Sequence, residues 1–283
     1  MTKAPLRLLA RTGFYLLVAG ILVYLLFPFY WALVSSLKPD GELFVTPVRY
    51  WPSALTLENY RLVIADGQFQ TAFLNSILVS VGSVGLSLLV GAIAAYALGR
   101  IRFRGRNALQ YVVLTMTMFP QIAVLGGLYT MINQFGLFNR LPALVFSYLL
   151  FTLPFTVWVL MHFFRTLPGE LEEAAYMDGA TPFRTFWQIM LPLSTPGLVT
   201  TGLLAFIQSW NEFLFALSFM QTPEHFTVTR AIFSFQGITS SSFEFPWGQV
   251  MAATILVTLP LIVLALIFQR RILAGLTAGA VKG

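Results

Sequence analysis

Residues 173–192 read EAAYMDGATPFRTFWQIMLP: Glu173-Ala174-Ala175, then Gly179 four residues after Ala175, then Ile189, Leu191 and Pro192. The stretch is polar beside its surroundings and lies between two long apolar runs, at about 142 to 164 and 196 to 220. Thr166 and Pro168 offer a helix start, and Glu170, Glu172 and Glu173 put negative charge on a first turn, where the helix dipole favours it. Leu171, Ala174, Ala175 and Asp178 recur at i, i+3, i+4 and i+7, which predicts one small, smooth face. Gly179 suits the left-handed conformation that ends a helix. Thr181-Pro182 reads as a cap followed by Pro at the first position of a second helix, running through Phe186, Trp187 and Ile189 and ending at Leu191-Pro192. The expected object is a helix, a glycine turn and a helix, presented at a membrane surface. As local chemistry alone, such signals equally suit a hairpin that merely links two spans.

The membrane follows from composition. With 57% hydrophobic residues, 27 Phe and only 10% charged residues in 283, and a mean hydropathy of +0.78, the chain has too little polar surface to coat a soluble globule. A hydrocarbon core of about 30 Å takes roughly 20 apolar residues as helix. Six segments qualify, at about 13 to 34, 71 to 98, 108 to 132, 142 to 164, 196 to 220 and 248 to 269. An all-α integral membrane protein with six transmembrane helices and both termini on one side is expected. The first run follows Lys3, Arg7 and Arg11 but lacks a small-residue cleavage pattern, so it reads as an uncleaved anchor. With no cysteine there is no disulfide, thiolate metal site or cysteine nucleophile.

Basic residues set the orientation rather than pointing to nucleic acid. Lys3, Arg7, Arg11, Arg100, Arg102, Arg104, Arg106, Arg165, Arg184, Arg270, Arg271 and Lys282 fall on the N-terminal side, against Lys38, Arg49, Arg61, Arg140 and Arg230 on the other. By the positive-inside rule both termini and the loop at 165–195 are expected in the cytoplasm. The division is then a cytoplasmic segment 1–12, a permease domain 13–270 with external loops 35–70 and 221–247, and a cytoplasmic tail 271–283. Pro39, Pro47, Pro52 and the aromatics Phe44, Tyr50, Trp51 and Tyr60 mark the first external loop. The second holds the run Gly237-Ile238-Thr239-Ser240-Ser241-Ser242 before Phe243. Ser83, Ser87, Gly91, Ala95 and Gly99 form a small-residue stripe in the second span, read as packing within one bundle ahead of a subunit interface.

The spacing of the opening stretch (Glu-Ala-Ala, three residues, Gly, nine residues, Ile, one residue, Leu-Pro) resembles the signature loop of the membrane subunits of ABC importers. The whole chain is similar to carbohydrate-uptake ABC permease subunits of the maltose type, specifically the MalG-like half. Six spans, the loop about 110 residues before the end, Trp210-Asn211-Glu212-Phe213 in the fifth span and the Leu276-Thr277-Ala278-Gly279-Ala280 tail all take part. The resemblance implies an ABC type I importer permease fold in the cytoplasmic (inner) membrane of a bacterium or archaeon. It also implies a heterodimer with a second, MalF-like permease, a dimer of ATP-binding subunits and an external sugar-binding protein. ATP and Mg would be bound by the partner subunits and no cofactor by this chain, which has no phosphate-binding Gly-x-x-x-x-Gly-Lys-Ser/Thr loop. Coupling to the ATPase would fall to Glu173, Ala174, Ala175, Asp178, Gly179, Ala180, Thr181 and Pro182. Glu173 would face a basic residue there, the alanines would permit close approach, and Gly179 would make the turn. Leu276, Thr277, Ala278 and Gly279 would lie along the ATPase dimer, and loop 221–247 would reach the binding protein.

Glu212 is the one ionisable residue expected near the middle of a span, where it must be paired, hydrated or protonated. With Gln208, Trp210 and Asn211 it is a candidate for the pathway or its gate, since sugars favour aromatic stacking and amide hydrogen bonds. The alternative function is an ion-coupled secondary transporter using Glu212 as its proton site; such carriers often have broken helices and inverted repeats, and neither is legible in the sequence. His162 and His225 lack metal-ligand spacing, no metal site is expected, and hydrolase motifs are missing, so the chain is expected to be no enzyme.

Overall fold

The computed structural model describes residues 3–39, 41–234 and 246–277, with side chains between Arg11 and Gln269. The 237–243 run and tail residues Ala278 and Gly279 therefore lie outside the described residues, as do the side chains of Leu276 and Thr277. The regular structure described is all helical: α1 (Lys3–Ser36), α2 (Glu58–Ala65), α3 (Gly67–Arg100), α4 (Arg106–Thr117), α5 (Gln121–Gln134), α6 (Leu141–Thr166), α7 (Glu170–Met177), α8 (Pro182–Thr185), a π-helical turn (Phe186–Met190), α9 (Leu191–Leu193), α10 (Thr195–Trp210), α11 (Leu214–Phe219), α12 (Val228–Phe233) and α13 (Trp247–Thr277).

Among the described residues four helices are long and apolar enough to cross a membrane unaided, over Arg11–Ser36, Gly67–Arg100, Leu141–Thr166 and Trp247–Gln269. Two bent pairs of helices bring the candidates to the six expected if each pair is one span. The expected 108 to 132 span breaks between Thr117 and Gln121, with α4 and α5 inclined at 96°. Pro120 is the cause: it has no N–H to donate and it drives its predecessor away from helical angles. Pro182–Leu193 meets Thr195–Trp210 at 74° across Ser194, with Pro192 and Pro196 on either side. The expected 196 to 220 span also stops at Trp210 and resumes at Leu214, so Glu212 occupies a break and not the middle of a helix. Broken helices, not expected from the hydropathy pattern, are thus present.

By contact the chain divides into two units. The first comprises Met1–Gly67 and Ser234–Leu259. In it the segment expected as an external loop is ordered by buried polar groups and includes α2. Lys38, 1% exposed, donates to the Arg49 carbonyl at 2.6 Å and sits 4.6 Å from the Trp31 ring centre. Glu42 accepts from the Ser53 N–H and hydroxyl, and Asn59 donates to the Ser36 and Lys38 carbonyls. These partners offset the cost of burying charge and amide.

The second unit comprises Gln68–Phe233 and Pro260–Gly283 and carries two apolar cores. One gathers Ala72, Leu144, Tyr148, Phe215 and Phe219, the other Tyr96, Leu160, Phe164, Phe186 and Met190. The small-residue stripe of α3 packs inside this unit: Ser83 meets Ser209 at 3.1 Å and Ser87 donates to Thr156 at 2.8 Å. A Cβ on Gly91 would stand 2.7 Å from Thr156 Cγ2. Gly91→Val is accordingly expected to lower stability by about 1–3 kcal/mol through overpacking, read as a lower thermal midpoint in detergent.

Candidate functional site

The hairpin begins at Gly169, whose carbonyl accepts the Glu172 and Glu173 N–H groups at 3.0 and 3.2 Å. Thr166 is not its start, because α6 continues through that residue. Helix α7 closes with paired bonds, the Gly179 N–H to the Tyr176 carbonyl at 3.0 Å and the Ala180 N–H to the Ala175 carbonyl at 2.9 Å. This is the Schellman arrangement, and Gly179 supplies its left-handed residue with φ of +79°. Thr181 then accepts the Arg184 N–H on its hydroxyl at 3.3 Å, with Pro182 at the first helical position. The helix continues past the expected Leu191-Pro192 end to Leu193. Pro192 offers no N–H, and the bonding shifts to a π turn in which the Leu191 N–H reaches the Phe186 carbonyl.

The two alanines do not share a fate. Ala175 is 5% exposed and packs into its own chain, whereas Glu173 and Ala174 are exposed. The expected smooth face is therefore divided, and Ala174 alone of the pair is free to admit a close partner. Asp178 and Gly179 are also exposed, as are Thr181 and Pro182, with Ala180 half-buried. Beside them stand two large apolar side chains that the sequence reading passed over, Met177 at 88% and Phe183 at 69% exposure. Met177 lies three residues beyond Ala174 and four beyond Glu173, which puts all three on one helix face. Exposed apolar groups clustered on a polar hairpin suit contact with a protein or a membrane surface.

What holds this surface to the membrane bundle is a second feature missed in the sequence. Arg100, in the last turn of α3, donates from Nε to Glu172 Oε2 at 2.7 Å and from Nη1 to the Leu167 carbonyl at 3.1 Å. Tyr96, one turn earlier, donates its hydroxyl to Glu172 Oε1 at 2.8 Å. The Arg100 and Glu172 side chains are only 13% and 14% exposed. A charge-assisted junction of this kind fixes direction as well as contact, so α7 is tied to α3 and to the end of α6.

Away from the hairpin, the breaks after Thr117 and after Trp210 border a cavity of about 570 Å³. Its walls bring Thr117, Phe119 and Gln121 together with Phe151 and Phe155 of α6 and with Gln208, Asn211, Glu212 and Phe213. Gln208 and Asn211 share one face as an i, i+3 pair. Trp210 does not join them: two residues along a helix is a rotation of about 200°, and its ring packs instead on Phe206 and Phe73 at 5.6 and 5.4 Å. Glu212, 6% exposed, caps α11, its Oε1 accepting the Phe215 N–H at 2.7 Å and its Oε2 the Ala216 N–H at 3.2 Å. Its own backbone carbonyl accepts the Thr229 hydroxyl at 2.7 Å. Among the described residues no lysine or arginine lines the cavity. A volume of this size with aromatic walls, amides and one carboxylate already engaged in capping α11 suits a small hydroxyl-rich ligand. His162 bonds the Trp158 carbonyl and His225 the Thr222 hydroxyl, both within their own segments.

The chain matches the family described as binding-protein-dependent transport system inner membrane component over residues 87–277. It is 43% identical to the trehalose transport system permease protein SugB of Mycobacterium tuberculosis, across 97% of this chain and 99% of that protein. It is 42% identical to the trehalose/maltose transport system permease protein MalG of Thermococcus litoralis, across 95% and 96%. Among solved structures, a chain of a bacterial ABC transporter that imports the acidic polysaccharide alginate superposes with a TM-score of 0.80 at 21% identity, covering 95% of this chain and 98% of that one. A chain of the MetNI methionine ABC transporter in an inward-facing form gives 0.56 at 16% identity, covering 78% and 99%. At these identities the structural likeness concerns the fold.

Proposed function

Because this chain belongs to the family of binding-protein-dependent transport system inner membrane components, we propose that it is a permease subunit of an ATP-driven sugar importer. It works beside a second permease subunit, receives sugar from an external binding protein, and leaves ATP hydrolysis to a separate pair of ATP-binding subunits. The observation that carries this reading is the hairpin: Glu173, Ala174 and Met177 of α7 and Phe183 of α8 are exposed, and α7 is fastened to α3 through Glu172 and Arg100. The sugar reading draws on the relatives at 43% and 42% identity, both named for disaccharide transport, and on cavity walls whose one charged group is the Glu212 carboxylate, with no lysine or arginine among the lining residues to balance an acidic sugar.

In this mechanism α7 docks on the cytoplasmic ATPase and moves with it when ATP closes the dimer. The junction at Arg100 passes that movement to α3, and the connection through Leu167 passes it to α6, whose Phe151 and Phe155 line the cavity. ATP shifts the inward and outward states only as far as the ATPase binds them differently. The charge distribution of the loops supports a cytoplasmic position for both termini and the hairpin. The Leu276 to Gly279 segment is assigned to the ATPase, and the 221–247 loop to the binding protein.

The test is sugar uptake by the purified complex in liposomes. Uptake is expected to need ATP and the binding protein and to ignore a proton uncoupler. Glu173→Arg is expected to assemble in the membrane yet to lose at least about tenfold in uptake, because a close charge contact at a docking surface is worth about 1.5 kcal/mol or more. Uptake that collapses with the uncoupler, or a Glu173→Arg complex that transports like the wild type, would overturn the assignment.

A further inference from the structure

The turn between α3 and α4 alternates apolar and basic residues, Ile101, Arg102, Phe103 and Arg104, and all four side chains are exposed. Nothing in the neighbouring sequence neutralises them: between Asp66 and Glu170 the chain has no acidic residue. Glu172, which folding brings to the end of α3, is already held by Arg100 and Tyr96. Arg106 adds charge but is engaged elsewhere, donating to the Leu98 and Gly99 carbonyls at 2.8 and 2.7 Å. Arg165, exposed at the end of α6, stands within electrostatic reach of Arg106. Arg102, Arg106 and Asn107 line a concavity of about 320 Å³ at this point.

Depth in the bilayer supplies the rest. Helix α3 has 34 residues, about 50 Å at roughly 1.5 Å per residue, against about 40–45 Å for a bilayer with its headgroups. A helix of that length reaches through both headgroup layers, so its arginine-bearing C-terminal end is expected at or just beyond the headgroups. Helix α4 buries none of its residues and exposes Leu109, Tyr111 and Val112, an apolar surface suited to acyl chains directly beside the arginines. At that boundary an arginine keeps its stem in the apolar layer and its head among phosphates, and its planar fork matches a phosphate oxygen pair.

We propose that this turn is a binding site for the phosphodiester headgroup of an anionic membrane phospholipid, in the leaflet on the side of the coupling hairpin. Arg102 and Arg104 are its ligands, and the concavity beside Arg106 and Asn107 is its seat. Neither Arg102 nor Arg104 takes part in the coupling junction or the cavity, so the site is separate from the transport machinery.

The test uses the intact transporter complex, embedded in nanodiscs of phosphatidylcholine with added phosphatidylglycerol, then extracted and washed in detergent before the retained lipid is measured by mass spectrometry. Wild type is expected to keep phosphatidylglycerol selectively. Arg102→Gln with Arg104→Gln is expected to hold it about thirtyfold more weakly, since each basic residue near an anionic leaflet contributes about a factor of five. The paired lysine variant, which keeps the charge, should stay within a few fold of wild type, and phosphatidylcholine retention should not change in any of them. Equal phosphatidylglycerol retention by wild type and the glutamine pair would overturn the proposal. So would loss of the ATP-binding subunit from the glutamine variant with its lipid unchanged, which would make the arginines a protein interface.

Discussion

Arg100→Ala is expected to leave the complex hydrolysing ATP while sugar uptake in liposomes falls by more than tenfold. Removing the guanidinium leaves Glu172 charged beside Tyr96 at 14% exposure, together with the Leu167 carbonyl that Arg100 also satisfied. Breaking one partner from a buried pair costs about 3–5 kcal/mol. The lower end applies, because the pair is not fully enclosed, and about 3 kcal/mol still shifts the seating of α7 by more than a hundredfold. The ATPase would keep its grip on Ala174, Met177 and Phe183, but the movement would no longer reach α3. Glu172→Gln keeps one acceptor oxygen for Arg100 and can donate its NH2 to the Tyr96 hydroxyl, so it is expected to lose less. Arg100→Met with Glu172→Leu removes both charges together and should regain much of the stability lost by the single change. Parallel measurement of uptake and ATPase rates on one preparation distinguishes these outcomes. An Arg100→Ala complex with wild-type uptake would show that α7 is held by something else.

That junction also marks how far the sequence could be read. The hairpin was legible because its determinants are local: Gly179 must adopt φ of +79°, Thr181 and Pro182 start the next helix, and both act within a few residues of themselves. The long spans were legible because 18 or more apolar residues in a row have few other uses. Glu172 and Arg100, in contrast, are 72 positions apart, and nothing in the neighbourhood of either names the other. Burial of Ala175 sets the inward face of α7, and Glu172 lies three residues before it, so periodicity held a hint that pairing alone could complete. The division of Ala174 from Ala175 was hidden for a related reason: both are small, and composition does not say which of two adjacent alanines faces in.

The breaks were less legible still. Pro120 was visible as a residue that interrupts helices, yet prolines also occur within α1, α6 and α13, at Pro28, Pro154 and Pro260, without stopping them. Whether a proline bends or ends a membrane helix depends on what else satisfies the freed backbone groups. At residues 211–213 no proline is present, and the interruption depends on a side chain bonding forward to the next helix. Gln208 and Asn211 were legible as pathway candidates by chemistry, but their separation from Trp210 required the helical phase that only a located helix end provides.

Glu212→Ala is the second change expected to have a large effect, and it bears on what the carboxylate does. Phe215 and Ala216 are buried, and their N–H groups point at the two Glu212 oxygens. Alanine leaves both donors without an acceptor, at about 1–3 kcal/mol each, so the denaturation midpoint of the complex is expected to fall and uptake with it. Glu212→Gln separates structure from proton chemistry. Its amide oxygen can accept one of the two N–H groups, while its NH2 faces the other as a second donor, so a partial loss of about 1–2 kcal/mol is expected. Uptake should stay within a few fold of wild type and remain indifferent to a proton uncoupler. A proton-coupled carrier would behave otherwise, because glutamine cannot load and release a proton, and its uptake would vanish even though the protein remained folded. Retained midpoint with abolished uptake in Glu212→Gln would therefore move Glu212 from the helix cap it forms to the transport chemistry itself.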